Sequence, residues 1–388
     1  MRAFVAYLHG SELVARFQRS CGLFPRVDGN SLGCAGERDN AVGRRRGEVE
    51  RSCSSQHGGC REEEASNSEY EVRNRPLHFL FLVSAALGSE VFYISFLPCI
   101  HWNLDPFLCR RLVNMWAVVM YVGQVLKDVL KLPRPLAPPV VKLEKRVDAE
   151  YGLPSTHAMA ATALSFTLLL SAQERVQFQL EMGVFLAVLL SALVCLSRLY
   201  TGMHSALDVI CGAAIAGVIT ISSYPLWQTL DQLQLHSPIS PAVALLLPIF
   251  LCYRYPELGH YSTTRGDTTV ILGAASGCWV GYWLNEQFGL TFEPSGPLPM
   301  PMSPVTINAF VLGVGRFMVG LSVLLCTRQT ARWTSFAILC CFYGELQHDA
   351  KLKRRKEVEV PYYFSTYLTI GLMNTVLVNR LFVILGLL

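Results

Sequence analysis

Three short polar blocks interrupt an otherwise apolar chain, and each holds residue types suited to phosphate chemistry. The first runs from Lys127 through Arg134 to Pro135, the second is Pro154-Ser155-Thr156-His157, and the third runs from Ser197-Arg198 through His204 to Asp208. Lys127 ends an apolar stretch, where an ammonium is costly unless it faces a wet cavity with an anion or snorkels to the interface. Arg134 precedes a proline that fixes an extended turn, and its planar fork matches two phosphate oxygens at once. Pro154 then Ser155 reads as a helix start with Ser155 or Thr156 as N-cap, so the amides from Ser155 to His157 and the positive helix end favour a bound phosphate. His157 lies in that first turn and can give a proton to a leaving alkoxide. Arg198 adds a third cation. His204 follows in the next helix start, with Asp208 one turn on along the same face. A carboxylate that holds one imidazole nitrogen leaves the other free to attack phosphorus and stabilises the cationic phosphohistidine that results.

Taken singly, each block has a plainer reading. Lys127 snorkels, His157 is a structural histidine at a helix start, and a His/Asp pair at this spacing is a structural contact or a fragment of a metal site. A two-metal phosphatase needs clustered carboxylates. These blocks instead hold cations that can act on the non-bridging oxygens in a metal's place, with Asp208 the one acid among them. Neither a metal nor a cofactor is expected. Glu144, Asp148 and Glu150, in the loop between the first two blocks, read as its solvated face, and Cys53, His57 and Cys60 lack a well-spaced fourth zinc ligand.

The elements that position these blocks must be membrane helices. Of the 388 residues 52% are hydrophobic and 16% charged, and the mean hydropathy of +0.34 is too high for an ordinary soluble protein. Apolar stretches recur at 77–100, 112–130, 158–172, 182–196, 207–227, 241–252, 268–288, 307–326, 333–343 and 364–388. The expected fold class is all-α, a polytopic membrane helical bundle of about 8 to 10 transmembrane helices, some short or tilted. The transmembrane domain is expected over 77–388 with its catalytic core at about 112–227. Residues 1–76, rich in Gly, Ser, Glu and Arg beyond Val27, are expected to form a mostly disordered N-terminal tail. At its start Leu13, Val14 and Phe17 share a helical face that can lie on the membrane surface, without the uninterrupted apolar core of a signal peptide.

The run 351–356 carries five basic residues between the last two stretches and is expected to face the cytosol. Alternation over the ten stretches then puts the loops around Arg134 and Gly202 in the lumen, and Arg110 and Arg111 in the cytosol. It also puts the charged N-terminal tail in the lumen, an unusual place for one, so one stretch is expected to be miscounted. The net charge of +4 is small, and no basic stripe with interleaved aromatics favours nucleic acid. The 13 cysteines are scattered, several inside apolar stretches, and imply no disulfide framework.

The ordered set Lys-x6-Arg-Pro, Pro-Ser-x-His and Ser-Arg-x5-His-x3-Asp, ten fixed positions in all, resembles the signature of the type 2 phosphatidic acid phosphatase superfamily. That superfamily takes in lipid phosphate phosphatases, glucose-6-phosphatase and vanadium haloperoxidases. Thr156 stands where its members usually have Gly. The stretch Tyr151-Gly-Leu-Pro-Ser-Thr-His-Ala-Met159, with Pro138-Pro-Val-Val-Lys-Leu-Glu144 before it, resembles the sphingosine-1-phosphate phosphatases within it. So do Val14-Ala-Arg-Phe-Gln-Arg19, Phe92-Tyr-Ile, Arg265-Gly-Asp-Thr268 and Glu359-Val-Pro-Tyr362.

The resemblance implies a multi-pass enzyme of the endoplasmic reticulum membrane with a lumen-facing site. It also implies magnesium independence and action on sphingosine-1-phosphate, dihydrosphingosine-1-phosphate and phytosphingosine-1-phosphate at the lipid bilayer. Joined to the residue readings, it assigns Lys127, Arg134, Ser155, Thr156 and Arg198 to phosphate binding and His204 to nucleophilic attack. Asp208 orients His204, and His157 acts as general acid and base. The alternatives are a broader lipid or sugar phosphate phosphatase, and a transporter or scaffold that binds phosphate without turnover. The latter would need the cations but not His157, His204 and Asp208.

Overall fold

The computed structural model describes residues 2–26, 70–144, 150–259, 261–293, 296–301, 306–344 and 350–387. In chain order the helices are α1 (Arg2–His9), α2 (Ser11–Ser20), α3 (Arg75–Leu87), α4 (Glu90–Asn103), α5 (Pro106–Leu130), α6 (Thr156–Gln173), α7 (Leu180–Tyr200), α8 (Ala206–Ser223), α9 (Trp227–His236), α10 (Ser240–Tyr253), α11 (Thr264–Gln287), α12 (Ile307–Tyr343), α13 (Ala350–Lys353) and α14 (Lys356–Ile384). Four short strands accompany them: β1 (Leu23–Pro25) pairs antiparallel with β2 (Tyr70–Val72), and β3 (Val176–Gln177) pairs parallel with β4 (Met300–Pro301).

Contacts between helix termini define two ends of the bundle. One gathers the C-terminal ends of α5, α7, α10 and α12 with the N-terminal ends of α6, α8, α11 and α14. There Lys127 meets Thr156, Arg134 meets Met203, Asp128 meets Tyr255 and Thr264, and Lys356 meets Glu257. The opposite end is closed by charge. Arg110 and Arg111 share the Asp231 carboxylate at 3.2 and 2.8 Å, Arg175 holds Asp105, and the three guanidinium groups lie 4.2 to 5.5 Å from the Phe107 ring centroid. Such pairing keeps buried cations from standing uncompensated.

Lipid removes the hydrophobic drive between apolar helices, so close approach of small residues holds them together. α6 packs against α5, α7 and α8, and its Ala158, Ala160 and Ala163 are all fully buried. Gly277 of α11 and Gly371 of α14 lie where any Cβ would run into the facing backbone, at the Leu368 and Ala274 carbonyl oxygens. Outside this packed centre, four helices among the described residues are long and apolar enough to cross a membrane: α7, α8 continuing as α9, α12 and α14. The bent pair α3 and α4 makes a fifth if counted as one. Their outer faces carry Phe185, Val218, Ile221 and Phe310, all exposed as lipid-facing side chains would be.

The expected stretches 307–326 and 333–343 are one 37-residue helix, α12. At 1.5 Å per residue it spans about 55 Å, longer than a hydrocarbon core of about 30 Å. It can therefore carry the polar residues from Arg328 to Arg332, which read from sequence as a loop. Six helical passes along the bundle then separate Arg134 from the run 351–356, namely α6, α7, α8 with α9, α10, α11 and α12. The basic run and the site loops consequently lie at the same end, with Arg110 and Arg111 at the other, and alternation no longer separates the run from the site.

The stretch 77–100 is broken at Gly88-Ser89 into α3 and α4, bent by 65°, with Ser89 Oγ accepting the Phe92 N–H at 3.3 Å. The N-terminal segment is folded in part. Val14, Ala15 and Gln18 of α2 are buried against α7 and the loop at 140–143, so this face serves the protein interior instead of a membrane surface. Residues 27–69, with Cys53, His57 and Cys60, lie outside the described residues, as does Asp148.

Candidate active site

Backbone geometry brings the three blocks together. Lys131 stops α5 by taking a left-handed φ of 53° and donating its N–H to the Lys127 carbonyl at 3.0 Å. The chain then runs on to Arg134, whose Nη1 donates to the Met203 carbonyl at 3.0 Å, fastening the first block to the third. The second block is tied to both. Lys127 Nζ donates to Thr156 Oγ1 at 3.2 Å, and the Ser155 N–H donates to the Asp208 carbonyl at 3.0 Å. Two serine caps start the helices that carry the histidine blocks. Ser155 Oγ accepts the Ala158 N–H at 3.4 Å, and Ser205 Oγ accepts the Asp208 N–H at 3.2 Å. Asp208 Oδ2 returns the contact by accepting the Ser205 N–H at 2.7 Å, which completes a capping box and puts a carboxylate at the positive end of α8.

Lys127, Arg134, Ser155, Thr156, His157, Arg198, His204 and Asp208 thus form one cluster. Lys127, Ser155, Thr156, Arg198, His204 and Asp208 are buried, while Arg134 and His157 keep partial exposure. Burial, and after it the positive charges of Arg134, Lys127 and Arg198, holds the His204 imidazole well below its usual range. The ring is therefore neutral and keeps a lone pair, the form that attack on phosphorus requires. Burial also draws Arg134 downward against the opposing pull of Glu150, and a guanidinium so far above neutral pH stays charged. His157 packs against the bend between α3 and α4, where a Cβ on Gly88 would come within 2.9 Å of its Cδ2.

Ser155 joins α6 to α8 through its N–H, which the Asp208 carbonyl takes, while its hydroxyl accepts the Ala158 N–H and keeps its own proton to donate. The first-turn amides left to a ligand are those of Thr156 and His157. His204 sits in the turn before α8, and its Nδ1 is 3.6 Å from Asp208 Oδ2, longer than a hydrogen bond. His204 Nδ1 and Asp208 Oδ1 are both buried without a partner among the described residues, and contacts of this kind tighten when substrate binds.

Glu144 and Glu150 are not a solvated face. Glu150 Oε2 lies 3.2 Å from Arg134 Nη2 and 3.6 Å from Lys127 Nζ, and the two Glu144 oxygens lie 3.0 and 3.1 Å from Arg198 Nη2. Each of the three cations therefore holds a carboxylate where phosphate oxygens are expected. Among the described residues no group of three or more His, Cys, Asp or Glu is arranged to hold a metal ion.

Three supporting residues escaped the sequence reading. Gln18 is fully buried. Its Nε2 donates to the Val141 and Tyr200 carbonyls at 2.7 and 2.8 Å, and its Oε1 accepts the Val141 N–H at 2.9 Å. It joins the loop leading to Glu144 to the end of α7 that bears Arg198, across separations of 123 and 182 residues that no local pattern announces. Gly202, with φ of +71°, turns the chain from α7 toward His204, and a Cβ there would collide with the Val141 carbonyl oxygen. Ser205 was legible, since Ser205-x-x-Asp208 is a capping-box spacing.

The family profile described as the PAP2 superfamily matches residues 109–232. Sphingosine-1-phosphate phosphatase 2 of Homo sapiens is 45% identical over the full length of both chains. Sphingosine-1-phosphate phosphatase 1 of Rattus norvegicus is 39% identical over 81% of this chain and 74% of its own. A dihydrosphingosine 1-phosphate phosphatase of Schizosaccharomyces pombe is 29% identical over 56% of this chain and 55% of its own. No solved structure matches. A likeness that runs the whole length of the chain, and not the three blocks alone, decides its kinship: the chain belongs to the sphingosine-1-phosphate phosphatase family within the PAP2 superfamily.

Proposed function

We propose that the protein is a metal-independent phosphatase of sphingosine-1-phosphate, dihydrosphingosine-1-phosphate and phytosphingosine-1-phosphate, with its catalytic core at about 112–227. One observation carries the proposal: three cations converge on a neutral histidine, and each is already occupied by an anionic group. Lys127, Arg134 and Arg198, with the Thr156 and His157 amides, bind the phosphate oxygens. His204 Nε2 bonds to phosphorus as the ester P–O bond breaks. Burial, and after it Arg198, Lys127 and Arg134, holds His157 well below its usual range in the empty site; the bound phosphate dianion offsets those charges, so that His157 takes up a proton and gives it to the departing alkoxide oxygen. Asp208 faces Nδ1 and stabilises the positive phosphohistidine. His157, now neutral, takes a proton from water as that water attacks phosphorus. The P–N bond then breaks, releasing inorganic phosphate and restoring His204. A site at the end of the bundle lets the hydrocarbon chain stay in lipid.

The test uses purified full-length protein in detergent. Sphingosine-1-phosphate, phosphatidic acid and glucose-6-phosphate are compared head to head, with and without chelator. Preferred turnover of sphingosine-1-phosphate that survives chelation, and its loss in His204→Ala, are the expected results. An active His204→Ala enzyme ends the assignment.

Residence in the endoplasmic reticulum membrane with the site facing the lumen belongs to the same proposal, on the strength of the resemblance. The charge distribution favours the other orientation, because the basic run 351–356 shares an end with the site and basic residues favour the cytosolic side. A glycosylation acceptor introduced between α10 and α11, at the site end, is modified in cells if the site is lumenal and left bare if it is cytosolic.

A further inference from the structure

Among the described residues the charges of the cluster balance when it is empty, with Lys127, Arg134 and Arg198 facing Glu144, Glu150 and Asp208. A phosphate dianion adds two negative charges and must take guanidinium and ammonium donors away from the glutamates. Glu150 cannot go far. Its backbone carbonyl accepts Arg134 Nε at 3.0 Å, and the next turn of chain is held by the Gly152 N–H donating to the Leu132 carbonyl at 2.7 Å. Phosphate can displace the carboxylate from Arg134 Nη2 while leaving the backbone tether to Nε in place. The freed side chain then stays beside the bound phosphate, 23% exposed in the empty site. Like charges that close repel unless a cation lies between them.

We infer that Glu150, with Glu144 on the neighbouring cation Arg198, reads the ammonium group of the substrate and so selects sphingoid base phosphates over phosphate esters that lack an amine. The inference rests on the phosphatase reading above. In a sphingoid base phosphate the ammonium is borne by the carbon next to the one that carries the phosphate ester. It is therefore held within a few bonds of phosphorus, where the displaced carboxylate remains. A glycerol phosphate offers a hydroxyl or an acyl ester at that position, which leaves the carboxylate facing phosphate without a counterion. The same glutamates thus fill the empty site and penalise the wrong head group, a form of selection by repulsion as well as attraction.

The test measures kcat and KM of the full-length protein in detergent micelles for sphingosine-1-phosphate and for octadecyl phosphate, which has a comparable chain and no amine. Wild type is expected to prefer the amine by about 10- to 100-fold in kcat/KM, the range of one charge-assisted contact. Glu150→Gln is expected to collapse that ratio, raising KM for sphingosine-1-phosphate and lowering it for octadecyl phosphate as Arg134 and Lys127 lose a competing carboxylate. Glu150→Asp, which keeps the charge, should keep most of the preference, and it serves as the readout together with Glu144→Gln if Glu150→Gln does not fold. Equal turnover of both esters by wild type, or an equal loss on both in Glu150→Gln, overturns the inference and leaves the phosphatase reading standing. Turnover of neither ester by wild type removes the phosphatase reading itself.

Discussion

Replacing Asp208 by Asn separates its two roles, because the amide oxygen can still accept the Ser205 N–H that Asp208 Oδ2 now accepts at 2.7 Å. The cap on α8, of a kind worth about 0.5–2 kcal/mol, is largely retained, and the negative charge beside His204 is lost. In the empty enzyme that charge faces a neutral ring. Once His204 is phosphorylated the ring carries a positive charge 3.6 Å from the carboxylate oxygen. At an effective dielectric constant of about 20, two unit charges at that distance attract by about 4–5 kcal/mol. Much of this is realised in the transition state that leads to the phosphohistidine, so Asp208→Asn should lower kcat by about a thousandfold with little change in KM or thermal stability. Rapid quench with radiolabelled sphingosine-1-phosphate should show the phosphoenzyme forming slowly, rather than forming normally and breaking down slowly. Activity within tenfold of wild type would refute the electrostatic role. A loss of activity matched by a fall in melting temperature would assign Asp208 to the cap alone.

The pH profile carries a second expectation. Neutral His204 is the attacking form and its range is depressed first by burial and then by Arg134, Lys127 and Arg198, so kcat/KM should persist as pH falls through the usual imidazole range of about 6.5 and be lost only well below it. Arg134→Gln removes one depressing charge and should move that acid limb to higher pH, which a full pH series on both proteins would detect. Gln18→Ala removes three hydrogen bonds to buried backbone groups. At about 1–3 kcal/mol for each orphaned group, less whatever water recovers, it should lower stability by several kcal/mol in denaturant titration and reduce activity by loosening Arg198 and Glu144 together. Gly277→Leu should disrupt the α11 and α14 contact outright, since even a Cβ meets the Leu368 carbonyl, and should show as aggregation in size-exclusion chromatography.

Local order was legible in the residues. Apolar length marked most of the membrane helices, the Pro154-Ser155 spacing marked the start of α6, and the three polar blocks stood out because charges at helix ends need partners. These features depend on neighbours within a turn or two, where backbone hydrogen bonding and side-chain spacing are set by the chain itself. Where a helix ends in polar surroundings, sequence was a poorer guide. α12 carries Arg328 and Arg332 on continuous helix because it outruns the lipid, and with it changed the parity that assigns loops to sides.

Tertiary structure alone decided who faces whom. Glu144 and Glu150 read as solvated until the fold set them on Arg198 and on Arg134 with Lys127. The Ser155 amide read as open to phosphate until the Asp208 carbonyl claimed it, and Gln18 lies 123 residues from the loop it fastens. The physical reason is one of range. A carboxylate or amide takes whichever partner the packing of distant helix ends brings within about 3 Å, and that juxtaposition is a property of the whole bundle, carried by no segment of the chain.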